Sequence, residues 1–309
     1  MINLNEYEFK ISEMTAGIMA KKLITTPTGK KFIYKANMGF ARNDETPTSF
    51  GEVLYSYVCK ILGCNCVNAF FACLDINNKS SHGVLIEHFW EEDTKEAINL
   101  GRIIRSVNNE CSMCMKTSVD DVVNAVGRFA SLHGLSVDSQ RLRSDLVKMA
   151  ILDYYFSQTD RHRGNIEFLI SDKGLKMAPM FDNGACFNLS SHQVGGYITV
   201  SLNQYEKGDY QLLSITNEMY DYDEVDNLAK QIVVEMKNNK EIKKFVSDIN
   251  DLKIGEILTT LYNRSAKEFD EVYLQNCQKI FEYRKDLVNC YKKNIIRPKV
   301  IIDNFEKSL

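Results

Sequence analysis

Three polar side chains lie close together in the sequence in a pattern suited to phosphoryl transfer. Asp160 and Asn165 are five positions apart, and Asp182 follows after a segment with the pattern of a hairpin. Magnesium prefers a few hard oxygen ligands and completes its shell with phosphates and water, so Asn165 and Asp182 are candidate metal ligands. Asp160, next to that pair, is the candidate base that accepts the proton of an attacking hydroxyl.

The segment between Asn165 and Asp182 predicts how the chain brings these residues together. Residues 166–170 (IEFLI) have the pattern of a strand, residues 172–174 (DKG) that of a turn, and the second arm ends just before Asp182. Such a hairpin would return Asp182 to the side of Asn165. The spacing from Asp160 to Asn165 is unspecific by itself, because an ordinary polar turn after a helix has the same composition.

Two upstream residues fit the same chemistry. Lys35 lies on a predicted strand, from which its ammonium group could reach the α and β phosphates of ATP. Glu52 lies early in a predicted helix and is placed to pair with Lys35. Each also has a simpler interpretation, Lys35 as an edge-strand lysine in solvent and Glu52 as a first-turn acid that stabilises the helix dipole.

A segment between the two halves of the chain is a candidate for binding an adenine ring. Residues 84–90 (VLIEHFW) offer backbone groups from Glu87 to Phe89 and an aromatic edge. A core strand followed by a turn explains the same residues. His162, inside the loop at 160–165, is a further candidate for nucleotide binding.

Residues 12–21 (SEMTAGIMAK) are the candidate phosphate-binding loop. The segment has a single glycine, Gly17, where a kinase loop typically has three. Thr15 and Ser12 carry hydroxyls that could lie near a phosphate or a phosphorylated side chain. The interpretation of this loop therefore depends on few residues.

The order of the elements predicts an α+β fold with two lobes, residues 1–90 and 91–309. The first lobe is expected to hold a small antiparallel sheet with one helix across it, and the second to be helical and to carry the catalytic and metal-binding loops. Strands are predicted at 22–25, 31–35, 67–75 and 83–87, and helices at 49–62, 94–107, 119–133, 139–157, 223–238, 240–249 and 267–294. Residues 187–222 form the one candidate for a long loop, without an assigned role.

Residues 160–165 (DRHRGN) and 178–187 (APMFDNGACF) resemble the HipA-like serine/threonine kinases, whose catalytic loop carries Asp-Arg-His followed by Asn and whose metal aspartate lies in a Phe-Asp pair. The resemblance extends more loosely from Lys35 through residues 51–58 (GEVLYSYV) to the IEHF segment and on to about residue 190. HipA toxins carry a further subdomain ahead of the kinase lobe, whereas Lys35 lies near the start of this sequence. The compact CtkA-type kinases are therefore the nearer match.

The resemblance implies a two-lobed protein-kinase-like fold, ATP and Mg²⁺ as cofactors, and transfer of the γ-phosphate to a serine or threonine of a protein, with autophosphorylation as a further outcome. It also leaves open an antitoxin or a host protein as a partner. Two alternatives remain at this stage. The acceptor could be a small molecule, or the chain could bind nucleotide without turnover and act as a docking module.

Composition narrows the function classes. Lys plus Arg number 38 and Asp plus Glu 41, a formal charge of −3, so the broad basic surface typical of nucleic-acid-binding proteins is not expected. No apolar run approaches the roughly 18 to 20 residues needed to span a bilayer. The charged residues in the first fourteen positions leave no room for a secretory signal, so we expect a cytoplasmic protein; delivery into another cell stays open.

Nine cysteines, an odd number without a compact spacing framework, predict reduced thiols. Two local pairs, Cys64 with Cys66 and Cys111 with Cys114, could supply a four-thiolate zinc site, but both spacings are unspecific. The simpler interpretation is that these thiols pack as small apolar side chains.

Overall fold

The computed structural model describes residues 1–14, 21–37, 48–76, 79–90, 93–108, 118–158, 161–187, 222–266, 269 and 271–293. Several predicted functional residues lie outside these ranges, namely Thr15, Gly17, Asp160, Cys111 and Cys114. Most of the predicted long loop at 187–222 also lies outside them.

A six-stranded sheet forms the first part of the chain. Its strands are β1 (Ile2–Asn3), β2 (Lys10–Met14), β3 (Lys21–Thr25), β4 (Lys31–Ala36), β5 (Ala69–Ile76) and β6 (Lys79–Glu87), in the spatial order β1-β5-β6-β4-β3-β2. Strand β1 pairs with β5 in parallel, and every other pair is antiparallel. The predicted hairpin between β3 and β4 is confirmed, with Gly29 at φ 82° in its turn.

The alternation of side chains along β4 decides where Lys35 points. Successive residues of a strand face opposite sides of the sheet. Tyr34 packs into a small apolar cluster on the outer face, which also contains Leu74 and Leu85. Lys35 therefore faces the inner side, opposite Val84 of β6, whose side chain belongs to the main core.

Helix α1 (Thr48–Leu62) packs on that inner face, close to the predicted range of 49–62. Nearly all of its residues from Ser49 to Cys59 are buried, so the helix lies between the sheet and the rest of the molecule. It ends at Gly63, whose φ of 67° is the left-handed conformation that glycine adopts most readily after a helix.

A second sheet, of three antiparallel strands, lies in the second part of the chain. Strands β7 (Glu96–Asn99), β8 (Glu167–Ser171) and β9 (Gly174–Met177) pair in the order β7-β8-β9. The predicted hairpin that ends before Asp182 is therefore present as β8 and β9. The helix predicted at 94–107 is wrong in its first residues, because β7 finds a strand partner in β8, far away in the sequence, and α2 (Leu100–Asn108) begins only after it.

Helices supply the remaining described structure. They are α3 (Val119–Leu132), α4 (Ser139–Tyr155), α5 (Tyr222–Asn238), α6 (Lys240–Asn250), α7 (Ile254–Arg264) and α8 (Glu271–Lys292). The prediction missed α7, and it also missed β1 and β2. As a consequence Ser12, expected in a phosphate loop, lies in β2 opposite Leu23.

One apolar core runs from the inner face of the six-stranded sheet through α1 to the helices and the three-stranded sheet. Phe50 of α1 shows how it is built, because its ring packs edge-on against Phe269 and Tyr273 at centroid distances of 4.9 and 5.5 Å. In the described part of the chain, no helix combines the length and the apolar character that crossing a membrane requires.

Gly51 of α1 tests the packing of this helix. A Cβ at Gly51 would lie 2.8 Å from the carbonyl oxygen of Asn183 and 2.9 Å from that of Gly184, whereas a Cβ at Gly127 in α3 meets nothing within 4 Å. We expect Gly51→Ala to lower the free energy of unfolding by about 1–3 kcal/mol and Gly127→Ala to raise it by up to about 1 kcal/mol, as for an unhindered helix interior. Urea denaturation measures the free energy of unfolding of the two variants. If both substitutions changed it in the same direction, this packing would be contradicted.

Candidate functional site

The centre of the site is the ammonium group of Lys35, which bonds two carboxylates. Its Nζ lies 2.7 Å from Oε1 of Glu52 and 2.8 Å from Oδ1 of Asp182. Lys35 is 5% exposed and Glu52 1%, while the side chain of Asp182 is 33% exposed. Strand β4, helix α1 and the segment after β9 thus meet at one buried cation.

The electrostatics of the site favour the charged forms of Lys35 and Asp182. Burial disfavours the ammonium of Lys35, but the charges of Glu52 and Asp182 outweigh it, so the pKa of Lys35 is raised. Burial likewise disfavours the carboxylate of Asp182, yet the adjacent Lys35 lowers the pKa of Asp182 below its usual range. At neutral pH Lys35 is a cation and Asp182 an anion.

Glu52 also holds the chain next to Asp182. Its second oxygen, Oε2, accepts a hydrogen bond of 2.9 Å from the backbone N–H of Asn183. The side-chain amide of Gln158 donates to the carbonyl of Asp182 at 3.0 Å. Asp182 has a φ of 55°, a left-handed conformation uncommon outside glycine, and these contacts on both sides hold it there.

Arg161 joins the loop before β8 to the segment after β9. Its guanidinium bonds Asp153 of α4 through two nitrogens, at 2.9 and 3.1 Å, and donates to the carbonyl of Phe181 at 2.7 Å and to Oδ1 of Asn183. Asp153 also accepts a hydrogen bond of 2.8 Å from the hydroxyl of Tyr55 in α1. Arg161 therefore bonds both neighbours of Asp182.

The sequence prediction missed Arg161 and Asp153 as parts of the site. One signal was available, because Asp153 is an acid among apolar residues near the end of a predicted helix, and buried acids are paired. Its partner could not be named, since nothing local points to Arg161 rather than to Arg163 two positions later.

Asn165 and His162 belong to the same short turn. Residues Arg163–Asn165 form a 3-10 helix that leads into β8, and Asn165 is buried. The Nδ1 atom of His162 accepts a hydrogen bond of 2.9 Å from the N–H of Gly164, so this side chain caps the turn. His162 therefore has a structural bond within this turn. Its role in nucleotide binding stays a prediction.

The predicted adenine-binding segment follows β6 directly. The N–H of Glu87 donates to the carbonyl of Asn68 at 2.9 Å, and that of His88 to the carbonyl of Lys31 at 3.0 Å. The side chain of Glu87 is bonded to Lys30 and Asn68. The N–H groups of Glu87 and His88 are therefore used within the fold, and the binding of adenine by backbone groups from Glu87 to Phe89 stays a prediction.

Phe89 contributes an aromatic ring to the predicted adenine-binding segment. Its ring stacks against that of Phe181, with centroids 5.4 Å apart and an interplanar angle of 27°. Phe181 directly precedes Asp182, so the stack links the end of β6 to the segment that carries the acid. The contact of Phe89 with an adenine ring stays a prediction.

Comparisons with known proteins bear on the fold. No protein-family model matches the sequence, and no curated protein does so at a significant level. Among solved structures, the proinflammatory kinase CtkA of Helicobacter pylori has a TM-score of 0.67 at 14% identity, over 95% of this chain and 98% of that one. HipA of Shewanella oneidensis MR-1, solved with HipB and operator DNA, has a TM-score of 0.49 at 13% identity, over 94% and 68%. A Golgi casein kinase with Mn and ADP bound has 0.48 at 12%, over 93% and 74%.

The similarity to CtkA spans nearly the whole of both chains and shows that this chain has a kinase-like fold. The predicted fold class, α+β with two lobes, is confirmed, and the similarity to CtkA matches the expected resemblance to the compact CtkA-type kinases. The boundary between lobes near residue 90 stays a prediction.

The buried pair of Arg161 and Asp153 generates a stability prediction. Breaking a buried ion pair typically costs about 3–5 kcal/mol, because the remaining charge has lost its partner. We expect Arg161→Met to lower the free energy of unfolding by about that amount, and the double variant with Asp153→Leu to recover part of it. Lys244→Met, which breaks an exposed pair with Asp248, is the control and should cost below about 1 kcal/mol. Urea denaturation measures these losses. If the loss in the double variant equalled the sum of the losses in Arg161→Met and Asp153→Leu, the pairing would be contradicted.

The lowered pKa of Asp182 predicts a dependence of stability on pH. A carboxyl group whose pKa is lower in the folded chain stabilises that state above the unfolded pKa of about 3.9, and the contribution disappears as the pH falls through the folded pKa. The difference in unfolding free energy between the wild type and Asp182→Asn should therefore be constant above about pH 5 and shrink at lower pH. Asparagine also tolerates the left-handed backbone. Urea titrations at stepped pH test this, and a difference that grows on acidification would refute it.

Proposed function

We propose that this chain is an ATP-dependent serine/threonine protein kinase that transfers the γ-phosphate of ATP to a protein hydroxyl. The observation that carries the proposal is the buried Lys35, held between Glu52 of α1 and Asp182 after β9. This arrangement suits a lysine that contacts phosphates and is oriented by a helix glutamate beside a metal-binding acid. The kinase-like fold supports the same chemistry.

Each residue of the site has a proposed role. Lys35 would bind the α and β phosphates, because its raised pKa keeps the ammonium charged in a buried place. Glu52 orients Lys35 and, through its bond to the N–H of Asn183, the segment with Asp182. Asp160 would accept the proton of the attacking hydroxyl, and Phe89 would contact the adenine ring.

The residues present fit a magnesium ion. Asp182 is an anion with a partly exposed side chain, and Asn165 adds a hard amide oxygen, the ligand types that Mg²⁺ prefers. Asp182 and Asn165 would hold the ion, which when bound offsets the negative charge of the phosphates. Thr15 and Gly17 are proposed to contact the phosphates from the connection between β2 and β3.

The base assignment predicts the effect of a single substitution. Asp160→Asn keeps the size of the side chain but removes the proton acceptor, so we expect phosphoryl transfer to slow by about two to four powers of ten while ATP binding is retained. Asp172→Asn, at the exposed turn between β8 and β9, is the matched control and should transfer at the wild-type rate. Labelled ATP with magnesium and a cell lysate as acceptor measures the rate; wild-type transfer by Asp160→Asn would disprove the assignment.

The same assay separates the proposed kinase from its alternatives. Label on serine or threonine of proteins, absent with Asp182→Asn, supports the proposal. Label confined to small molecules identifies a small-molecule kinase instead. Nucleotide that binds with magnesium but is never turned over by the wild type identifies a nucleotide-binding docking module.

A further inference from the structure

Three cysteines lie close together in the sequence where helix α1 ends, and the proposed phosphoryl transfer uses none of them. Cys59 is buried in the last turns of the helix, while Cys64 and Cys66, just beyond it, are partly exposed. Burial and the neighbouring thiols of Cys64 and Cys66 raise the pKa of Cys59. These residues are called the thiol cluster below.

The backbone brings Cys59 and Cys64 together. After the left-handed Gly63, the N–H of Cys64 donates to the carbonyl of Cys59 at 2.8 Å, a bond from the sixth residue back to the first. In this type of helix ending, the side chains at the two ends of that bond are frequently in contact. The end of the helix therefore places Cys64 on the side of Cys59.

The thiols of Cys59 and Cys64 differ in how accessible they are to small solutes. Cys64 lines a cavity of about 690 Å³ beside Asn65, Lys148 and Met180, and Cys59 does not reach it. The neighbouring thiol of Cys59 and the ammonium of Lys148 lower the pKa of Cys64, against the opposing effects of burial and of the carboxylate of Asp145. Cys64 is thus the thiol of this pair that a small solute meets first, and its thiolate is the more accessible nucleophile.

Cys66 is held by other contacts. Its thiol donates to the carbonyl of Met180 at 3.2 Å, and its sulfur accepts from the side-chain amide of Asn183 at 3.7 Å. These bonds tie it to the segment that carries Asp182. Within the described residues, no group of three or more His, Cys, Asp or Glu side chains is arranged to hold a metal ion.

We propose that the thiol cluster is a site of peroxide oxidation, at which Cys64 and Cys59 form a disulfide. The Cys64 thiolate attacks hydrogen peroxide, the O–O bond breaks, and hydroxide leaves and takes up a proton to give water. The sulfenic acid on Cys64 is then attacked by the sulfur of Cys59, so that an S–S bond forms, the S–O bond breaks and a second water leaves. The two sulfurs are oxidised and the peroxide is reduced.

The sequence makes the disulfide easy to detect. Trypsin cleaves after Lys60, so Cys59 lies in the peptide 43–60 and Cys64 in the peptide 61–79. After treatment of the full chain with hydrogen peroxide and alkylation of the remaining thiols, mass spectrometry should find the two peptides joined, with the loss of two hydrogens. Dithiothreitol should separate them. This readout does not depend on whether the chain transfers phosphate.

Variants identify the partners. Cys66→Ser keeps both thiols of the pair and should give the same cross-link, as should Cys73→Ser, a partly exposed cysteine of β5. Cys64→Ser should abolish it. Cys59→Ser should leave a sulfenic acid on Cys64 that a cyclic 1,3-diketone traps. A cross-link that persists in Cys64→Ser, or oxidation of Cys73 or Cys290 while Cys64 stays free for alkylation, would overturn the proposal.

Discussion

The arrangement of the site depends on the ammonium group of Lys35, which the fold buries almost completely. Removing such a charge from water costs several kcal/mol unless opposite charges lie beside it. The two carboxylates that lie beside it come from α1 and from the segment after β9. The sheet, the helix and that segment must therefore close on one another in a single arrangement, because any other leaves a buried charge without its partners.

A second buried charge imposes a similar constraint on the loop before β8. Arg161 needs acceptors for its guanidinium, and Asp153 together with the backbone and side chain around Asp182 supplies them. The two networks meet on α1, where Glu52 and Tyr55 are three residues apart and so lie on the same face. One helix thus positions both Lys35 and, through Asp153, Arg161. Glu52 also bonds the N–H of Asn183, and the carbonyls of Asn183 and Gly184 occupy the place that a side chain at Gly51 would need.

Much of the fold could be predicted because its signals are local. The hairpin of β3 and β4, helix α1 and the hairpin of β8 and β9 each carry their own periodicity and turn residues, and each occurs close to its predicted range. Strand β7 was predicted as the start of a helix, because its partner β8 lies far away in the sequence and pairing decides a short strand. Helix α7 was overlooked between two longer helices. The acceptors of the N–H groups of Glu87 and His88 could not be predicted, because they are on residues that only the folded sheet brings near.

By itself, the sequence determined the residue types of the site, the order in which they occur and the elements that carry them. Lys35 on a strand, Glu52 on a helix and Asp182 after a hairpin follow from periodicities of two and 3.6 residues, which are properties of short segments. The tertiary structure alone decided that one ammonium group bonds both acids, that Arg161 spans the two loops, and that Cys64 lines a cavity together with Lys148 and Met180. Those contacts depend on how distant segments pack. The residue type fixes the charge of a side chain, but the packing of distant segments fixes the dielectric around that charge and the groups that pair with it.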